Sequence, residues 1–210
     1  MSDERAGGGH GPTREFWQSR FEAGTTPWHR GNASPQVARW LADGVLSGSV
    51  VVPGCGHGHE VAVLAAAGLR VTALDYAAGA CALTRDALRA AGLSAEVIEA
   101  DVLAWQPAAP LDCVYEQTCL CALHPDQWRA YADQLHRWLK PGGRLAALVM
   151  QCRRDGAADG LVEGPPYHLD INAVRALFPA ALWSWPAPPY ARIAHPSAIG
   201  VELALVLVRR

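Results

Sequence analysis

Hydrophobic and polar positions along the chain follow two patterns that alternate with each other. Short apolar or β-branched runs, which are typical of buried strands, occupy residues 49–53, 70–75, 95–100, 111–116, 144–151, 180–185 and 201–208. Apolar residues at helical spacing occupy residues 13–23, 34–43, 60–67, 77–91, 125–139 and 171–178. This alternation predicts an α/β fold: a doubly wound, seven-stranded, mostly parallel sheet with helices on both faces.

The two ends of the chain depart from this alternation. No helical pattern separates the last two predicted strands, so we expect a C-terminal antiparallel strand and a hairpin around residues 186–200. Residues 1–12 are polar and rich in glycine, which predicts a disordered tail. No repeat or linker divides residues 13–210, which we predict to form a single domain.

Local signals set several helix boundaries. Thr13 is a predicted N-cap, and Ser34-Pro35 has the cap-then-proline order that begins a helix. Residues 140–143 (Lys-Pro-Gly-Gly) combine a proline with a glycine turn, which predicts a helix stop before the next strand.

Composition narrows the classes of function. The 210 residues include 18 Lys and Arg against 20 Asp and Glu, a net charge of -2 that argues against a broad nucleic-acid surface. No apolar run approaches the roughly 20 residues of a membrane span, and the first residues lack the apolar stretch of a signal peptide. The six cysteines are irregularly spaced in apolar segments, which favours reduced, buried thiols and a cytoplasmic protein.

A glycine loop and an acidic residue form the first candidate site. Gly54, Gly56 and Gly58 follow a predicted strand and precede a helix, where glycines let the backbone turn sharply and approach a ligand. Asp75 ends the next strand, where a carboxylate can accept bonds from both hydroxyls of a ribose. A tight turn without a ligand is the alternative. The third glycine falls at 58, whereas the dinucleotide fingerprint requires it at 59, so the spacing favours S-adenosylmethionine over a dinucleotide.

Asp101 and Val102 end the following strand and are candidates for adenine recognition. An acidic side chain there can pair with the adenine amino group, while the adjacent backbone N–H meets a ring nitrogen. An aspartate that caps a turn is the alternative interpretation of Asp101.

Four segments carry a resemblance to a known family. They are Phe16-Trp17…Phe21…Thr26-Pro27-Trp28, Val52-Pro53-Gly54-Cys55-Gly56, Ala73-Leu74-Asp75 and Gly164-Pro165-Pro166-Tyr167. With them the chain resembles the thiopurine S-methyltransferase superfamily over about residues 14–208, and within it the plant and bacterial thiol and halide (thiocyanate) methyltransferases. The resemblance implies a class I, Rossmann-like, S-adenosylmethionine-dependent methyltransferase with an N-terminal helical lid.

The resemblance also implies roles for individual residues. Those expected to bind the cofactor are Trp17, Phe21, Trp28, Gly54, Gly56, Asp75, Asp101, Val102 and Gln117. Trp17 and Trp28 match aromatic residues that cover the cofactor, and Phe21 stands where relatives often have a third tryptophan. Ordinary packing is the alternative for all three. Gln117 stands where relatives have Tyr or Arg near the transferred methyl group, and this departure leaves the acceptor less defined than the cofactor. Residues 164–167 match the loop that lines the acceptor pocket.

The chemistry of methyl transfer decides which acceptor is expected. A thiolate, bisulfide, halide or thiopurine-like aryl thiol is a soft nucleophile that is already ionised to a useful extent, so in-line displacement needs no general base. For a neutral thiol, Glu116, Tyr167 or His168 is available as a base, and we count Gln117, Glu116 and Tyr167 as candidate catalytic residues. Glu116 as a structural carboxylate is the alternative.

Other functions remain open at this point. An O- or N-methyltransferase would use the same cofactor, a nicotinamide-dependent oxidoreductase would bind a dinucleotide, and a non-catalytic module would bind without turnover. Cys55-x-His57-x-His59 lies inside the glycine loop and Cys119-x-Cys121 lacks a partner pair, so we predict no metal site. The expected partner is a small-molecule acceptor, without nucleic acid or membrane, for a monomer or weak homo-oligomer.

Overall fold

The computed structural model describes residues 11–152, 154–195 and 200–210. Its helices are α1 (Arg14–Glu22), α2 (Pro35–Ala42), α3 (His59–Ala66), α4 (Ala78–Ala90), α5 (Pro125–Trp138) and α6 (Ile171–Leu177), with 3-10 turns at Leu120–Ala122 and Asp155–Asp159. Its strands are β1 (Ser49–Pro53), β2 (Arg70–Asp75), β3 (Glu96–Glu99), β4 (Leu111–Gln117), β5 (Leu139–Cys152), β6 (Trp183–Ser184), β7 (Ala191–Ala194) and β8 (Gly200–Arg209).

The strands form one sheet in the order β3-β2-β1-β4-β5-β8-β6, and β7 also pairs with β8. The pairs from β3 to β5 are parallel, whereas β8 is antiparallel to β5, β6 and β7. The predicted doubly wound, mostly parallel sheet with a C-terminal antiparallel strand is therefore confirmed.

The predicted strand count of seven is wrong at the outer edge. Residues 180–185 contribute only the two residues of β6, and β7 lies within the segment predicted to be a hairpin connection. Pro186, Pro188 and Pro189 fall between β6 and β7, and proline cannot donate to a ladder. The edge is therefore divided into two short strands, and the described residues form eight strands in all.

A second correction concerns residues 139–143. These residues belong to β5, which begins directly after α5 rather than after a separate turn. In the pairing of β4 with β5, Leu111 lies opposite Leu139 and Cys113 lies opposite Arg144. The extra residues in β5, Lys-Pro-Gly-Gly, therefore bulge out of the ladder.

The core lies on both faces of the sheet because side chains alternate along each strand. In β1, Val51 packs on the face covered by α5 and α6, whereas Val50 and Val52 pack on the face covered by α2, α3 and α4. The carboxyl ends of β1, β2, β3 and β4 meet at one edge, which is where a doubly wound sheet binds ligands.

The N-terminal segments adjoin that edge. The hydroxyl of Thr13 accepts from the N–H of Phe16 at 3.3 Å, and that of Ser34 accepts from Gln36 at 3.4 Å, which confirms both predicted caps. Residues 1–10 of the predicted tail lie outside the described residues. Pro12, also placed in that tail, contacts the domain, because its carbonyl accepts a hydrogen bond from Tyr76 Oη at 3.2 Å. No described helix is long and apolar enough to span a membrane.

Candidate active site

A cleft of about 940 Å³ lies at the edge where the parallel strands end. The predicted site residues that line it are Trp17, Phe21, Trp28, Gly54, Gly56, Asp75, Asp101, Val102 and Tyr167. Neither Glu116 nor Gln117 lines this cleft, and Gln117 faces a smaller neighbouring cavity of about 70 Å³. The structure thus brings together the residues expected at the cofactor and separates two of the three candidate catalytic residues from them.

The glycine loop requires residues without side chains. Gly54, Gly56 and Gly58 all have positive φ angles, at 62°, 53° and 76°. A Cβ on Gly58 would lie 2.8 Å from the Cα of Thr84, and the hydroxyl of Thr84 donates to the carbonyl of Gly56 at 3.1 Å. The loop is therefore held against α4, and its backbone is exposed to the cleft at Gly54 and Gly56.

Asp75 joins the end of β2 to the glycine loop. Its Oδ2 accepts from the N–H of Gly56 at 3.1 Å and its Oδ1 from that of Ala77 at 3.0 Å. Each carboxylate oxygen can accept more than one bond, so capacity remains toward the cleft. Burial raises the pKa of Asp75 to about 6, although these backbone bonds act in the opposite direction.

Asp101, Val102 and Tyr76 form the next part of the wall. Asp101 Oδ1 accepts from the N–H of Leu103 at 2.8 Å, so this side chain caps a turn as well as lining the cleft. Tyr76 was not predicted as a site residue, yet it lines the cleft directly after Asp75. An aromatic residue immediately after Asp75, the residue predicted to bind ribose, was the signal in the sequence.

Aromatic rings from α1 and the following loop cover the glycine loop. The ring centroids of Trp17 and Trp28 are 5.4 Å apart, and those of Phe21 and Trp28 are 6.0 Å apart, both in edge-to-face contact. Gly79 on α4 permits this position for α1, because a Cβ there would lie 2.9 Å from Phe21 Cβ. We name these three rings the aromatic lid.

Three histidines connect the aromatic lid to the glycine loop. The ring of His29 stacks on that of His57 at 3.7 Å, and His29 Nε2 lies 2.7 Å from His59 Nε2. Desolvation and the neighbouring imidazoles lower the pKa of His57 to about 4 and also lower that of His29. Both rings are thus neutral near pH 7 and pack as flat surfaces. Among the residues that the structure describes, no group of three or more His, Cys, Asp or Glu side chains is arranged to hold a metal ion.

Gln117 belongs to a buried polar network beneath the lid. Its Nε2 donates to both carboxylate oxygens of Glu202, at 2.9 and 3.2 Å, and its Oε1 accepts from Tyr115 Oη at 2.7 Å. Arg30, two residues after Trp28, pairs with Glu202 at 3.2 Å. The amide of Gln117 is therefore engaged away from the cleft. Glu202 was not predicted, although it is a single acidic residue within the apolar sequence of β8.

Replacement of Glu202 by Gln is expected to stabilise the protein, relative to the wild type, increasingly as the pH rises. Burial raises the pKa of Glu202 from 4.5 to about 7. The nearby Glu60 also raises this pKa, whereas the hydrogen bond from Gln117 and the charge of Arg30 lower it. The protonated form therefore contributes stability that is fully present below about pH 4.5 and is lost as the pH rises through 7. Since glutamine cannot ionise, the unfolding free energy of the variant minus that of the wild type should increase by about 1–3 kcal/mol between pH 5 and 8.

Urea unfolding at pH 5, 6.5 and 8 measures this difference. The exposed Glu96 on β3 supplies the control, because Glu96→Gln should show no such trend. A Glu202→Gln difference that stays constant over this range would contradict the assignment.

The two other candidate catalytic residues have different positions. Glu116 is 2% exposed and its Oε1 accepts from the N–H of Leu120 at 2.6 Å, so it holds the 3-10 turn after β4 rather than reaching the cleft. Burial, chiefly, raises its pKa to about 7. This placement supports the structural alternative for Glu116 and not a base. Tyr167 does line the cleft, and desolvation raises the pKa of its hydroxyl.

The chain after β4 adds residues that the sequence did not indicate. Thr118 lines the cleft with φ 63°, a left-handed conformation that is uncommon for a residue other than glycine. Cys119 and Cys121 follow it, and burial raises the pKa of both thiols well above the usual value. All six cysteines are free and buried, as the sequence predicted.

Comparison with known proteins agrees with this geometry. Residues 12–186 match the Thiopurine S-methyltransferase (TPMT) family. Probable thiol methyltransferase 2 of Arabidopsis thaliana is 30% identical over 178 residues, which cover 82% of this chain and 71% of the relative. Thiopurine S-methyltransferase of Azotobacter vinelandii is 30% identical over 182 residues, or 78% of this chain and 80% of the relative.

Solved structures share the fold. The 1,6-didemethyltoxoflavin-N1-methyltransferase of Burkholderia thailandensis, solved with 1,6-didemethyltoxoflavin and S-adenosylhomocysteine, has a TM-score of 0.72 at 19% identity over 99% of this chain and 98% of its own. Magnesium protoporphyrin IX methyltransferase of Synechocystis has a TM-score of 0.71 at 18% identity, over 94% and 99% of the two chains. Together with the family match, the fold gives no support to an oxidoreductase or a non-catalytic module. The chain belongs to the thiopurine S-methyltransferase family and is an S-adenosylmethionine-dependent methyltransferase.

Proposed function

We propose that this methyltransferase acts on a small, soft nucleophile: a thiol, bisulfide, a halide or a thiopurine-like aryl thiol. The observation that carries the proposal is the composition of the cleft beyond β4. Leu123, Met150, Pro165 and Tyr167 line it together with the charged Arg154 and Glu163, while the carboxylate of Glu116, a candidate base, is withdrawn into the core. An acceptor that ionises by itself near neutral pH suits this environment better than a phenol or an alkyl amine, which must lose a proton of higher pKa.

The cofactor fits the other half of the cleft. A volume of about 940 Å³ is within the range of sites for ligands of this size, with room for an acceptor. We propose that Asp75 accepts from the ribose hydroxyls, that Gly54 and Gly56 allow close backbone approach, and that Asp101 and Val102 contact the adenine. When bound, S-adenosylmethionine supplies a methyl group on a positively charged sulfur.

The aromatic lid would act on that positive charge. The face of an indole attracts a cation, and the attraction strengthens when water is excluded. Trp17 and Trp28 line the cleft next to the glycine loop, so the proposed lid stabilises the sulfonium and keeps the reacting atoms dry. Positioning the acceptor in line with the methyl group is then the main remaining task of the protein.

A panel of acceptors tests the proposal. Thiophenol, sodium hydrosulfide, iodide, phenol and aniline are incubated with the protein and S-adenosylmethionine, and S-adenosylhomocysteine is measured. We expect turnover of the sulfur or halide acceptors. Activity confined to phenol or aniline would replace the proposal with an O- or N-methyltransferase. Calorimetric binding of S-adenosylhomocysteine tests the cofactor site separately from the acceptor.

Replacement of Trp28 by Ala is expected to lower kcat/KM by roughly 5- to 30-fold, which corresponds to losing about 1–2 kcal/mol of cation–π stabilisation. Trp185 supplies the control, because its indole packs on Arg175 and does not line the cleft. Steady-state rates of Trp28→Ala and Trp185→Ala with the best acceptor make the comparison. Equal effects in the two variants would assign Trp28 to packing alone.

A further inference from the structure

The wall of the cleft farthest from Asp75 is formed by the chain after β5. In the strand order, β5 is the third strand from β2, so at about 4.8 Å per strand the two strand ends are roughly 14 Å apart. This distance places the segment at the acceptor end, beyond a cofactor anchored at Asp75. The cleft residues contributed here include Arg154, Leu161, Val162, Glu163, Pro165 and Tyr167.

Among the described residues of this wall Arg154 is the basic one, and its guanidinium is incompletely paired. Its Nη2 donates to the carbonyl of Pro166 at 2.9 Å. Its Nε is buried without a hydrogen-bond partner, although a guanidinium carries five N–H donors in a planar fork. Within the described ranges, no carboxylate lies at ion-pair distance from Arg154.

Two ionisable side chains of the described residues near Arg154, Cys152 and Glu163, form no ion pair with it. Burial raises the pKa of the neighbouring Cys152, although the charge of Arg154 and a side-chain hydrogen bond from it act in the opposite direction, so this thiol is an uncharged partner of the guanidinium at neutral pH. Glu163 lies in the same wall, but its Oε2 accepts from the N–H of Gly156 at 3.0 Å. A buried or half-buried charge is ordinarily paired, and here an anionic group of a ligand would supply the missing partner.

The surroundings of Arg154 are apolar and open. Leu161 and Val162 are 60% and 62% exposed, and they are large apolar side chains on the rim of the cleft. Apolar side chains exposed beside a ligand cleft are available to pack against an apolar part of a ligand. The acceptor that suits this end therefore has an apolar body and an anionic group.

We propose that Arg154 is a specificity-determining residue that binds an anionic group of the acceptor, so that the enzyme prefers aryl thiols that carry a carboxylate remote from the sulfur. This inference rests on the proposed function, because it assumes that a sulfur acceptor occupies this end of the cleft. The fork of the guanidinium matches a carboxylate in two parallel hydrogen bonds, which a lysine cannot form.

The test compares an acid with its neutral ester. Values of kcat/KM are measured for 4-mercaptobenzoate and for methyl 4-mercaptobenzoate, which differ in charge at the position of interest. In the wild type we expect a preference for the acid of about 10- to 100-fold, expressed in KM. Arg154→Met should reduce this ratio to about 1, and Arg154→Lys should give an intermediate ratio. The exposed Arg192 on β7 provides the matched control, because Arg192→Met should retain the wild-type ratio.

A binding measurement keeps the inference independent of turnover. The affinities of 4-(methylthio)benzoate and 4-(methylthio)benzamide for the complex with S-adenosylhomocysteine are compared by calorimetry in the wild type and in Arg154→Met. Tighter binding of the acid that is lost in Arg154→Met supports the inference. Equal ratios in the two proteins, in binding or in kcat/KM, would overturn it. Failure of every thiol to react, with intact binding of S-adenosylhomocysteine, would instead overturn the proposed function.

Discussion

Alanine in place of Asp75 is expected to weaken the binding of S-adenosylhomocysteine by about 1.5–3 kcal/mol, or roughly 10- to 150-fold. The proposed bonds from the ribose hydroxyls are lost, and the carboxylate also anchors the N–H of Gly56, which holds the glycine loop. Isothermal titration calorimetry measures the affinity. Asp86→Ala is the matched control, because Asp86 is an exposed acid on α4 whose partner is Arg89. Unchanged affinity in a folded Asp75→Ala protein would place the cofactor elsewhere.

The pH dependence of the same measurement gives a second test of Asp75. The pKa of the Asp75 carboxyl is raised to about 6, and the hydrogen bonds that it accepts from the N–H groups of Gly56 and Ala77 favour its ionised form. Binding below pH 6 therefore has to release a proton, so affinity should fall as the pH decreases from 7.5 to 5 and level off above about pH 7. In Asp75→Asn, which has no carboxyl to protonate, this fall in affinity between pH 7.5 and 5 should be absent.

Alanine in place of Gly58 is expected to lower the unfolding free energy by about 2–4 kcal/mol. The left-handed φ of 76° opposes any side chain, and a Cβ would lie 2.8 Å from the backbone of Thr84. Because Thr84 also bonds the carbonyl of Gly56, relief of this contact should move the glycine loop and weaken cofactor binding.

Gly68 is a control that separates the conformational cost of a positive φ from the cost of the contact with Thr84. Its φ is also positive, at 81°, but nothing lies within 4 Å of a Cβ built there. Gly68→Ala should therefore lose only the conformational part, about 1–2 kcal/mol, and leave the affinity for S-adenosylhomocysteine unchanged. Urea unfolding and calorimetry of the two variants make the comparison. Equal losses of stability would show that the contact with Thr84 relaxes without cost.

Local chemistry explains what could be predicted from the sequence. The turn at Gly54–Gly58 and the acid at the end of β2 depend on backbone geometry within a short stretch of chain, so residue type and spacing were sufficient. The aromatic lid was predicted from its resemblance to a family, and the structure brings all three rings to the cleft. Their functions there remain proposals.

Contacts between distant segments could not be predicted in this way. Gln117 was expected near the acceptor, but its amide is bound by Glu202, 85 residues later in the chain. Arg30 meets Glu202 across 172 residues. Such pairings depend on which strands become neighbours, and β8 reaches this position only because it inserts antiparallel beside β5.

The position of Glu116 depends on the alternation of side chains in β4. Adjacent residues of a strand point to opposite faces, so Glu116 and Gln117 cannot both face the same side of the sheet. Val114 packs with the α5 face and Tyr115 with the other face, which places Glu116 over the 3-10 turn. The strand end could be located from the sequence, but the sequence did not show that neither of the two side chains would line the cleft.

The burial of all six cysteines has a consequence for an enzyme that handles sulfur compounds. Small thiols oxidise in air to disulfides, and a disulfide forms a mixed adduct only with a protein thiolate that it can reach. Cys119 and Cys121 do line the cleft, but burial raises the pKa of both thiols well above the usual value, so neither presents a thiolate there. We therefore expect the protein to tolerate the oxidised dimers of its own proposed acceptors. Its activity should therefore persist in aerobic solution without added reductant.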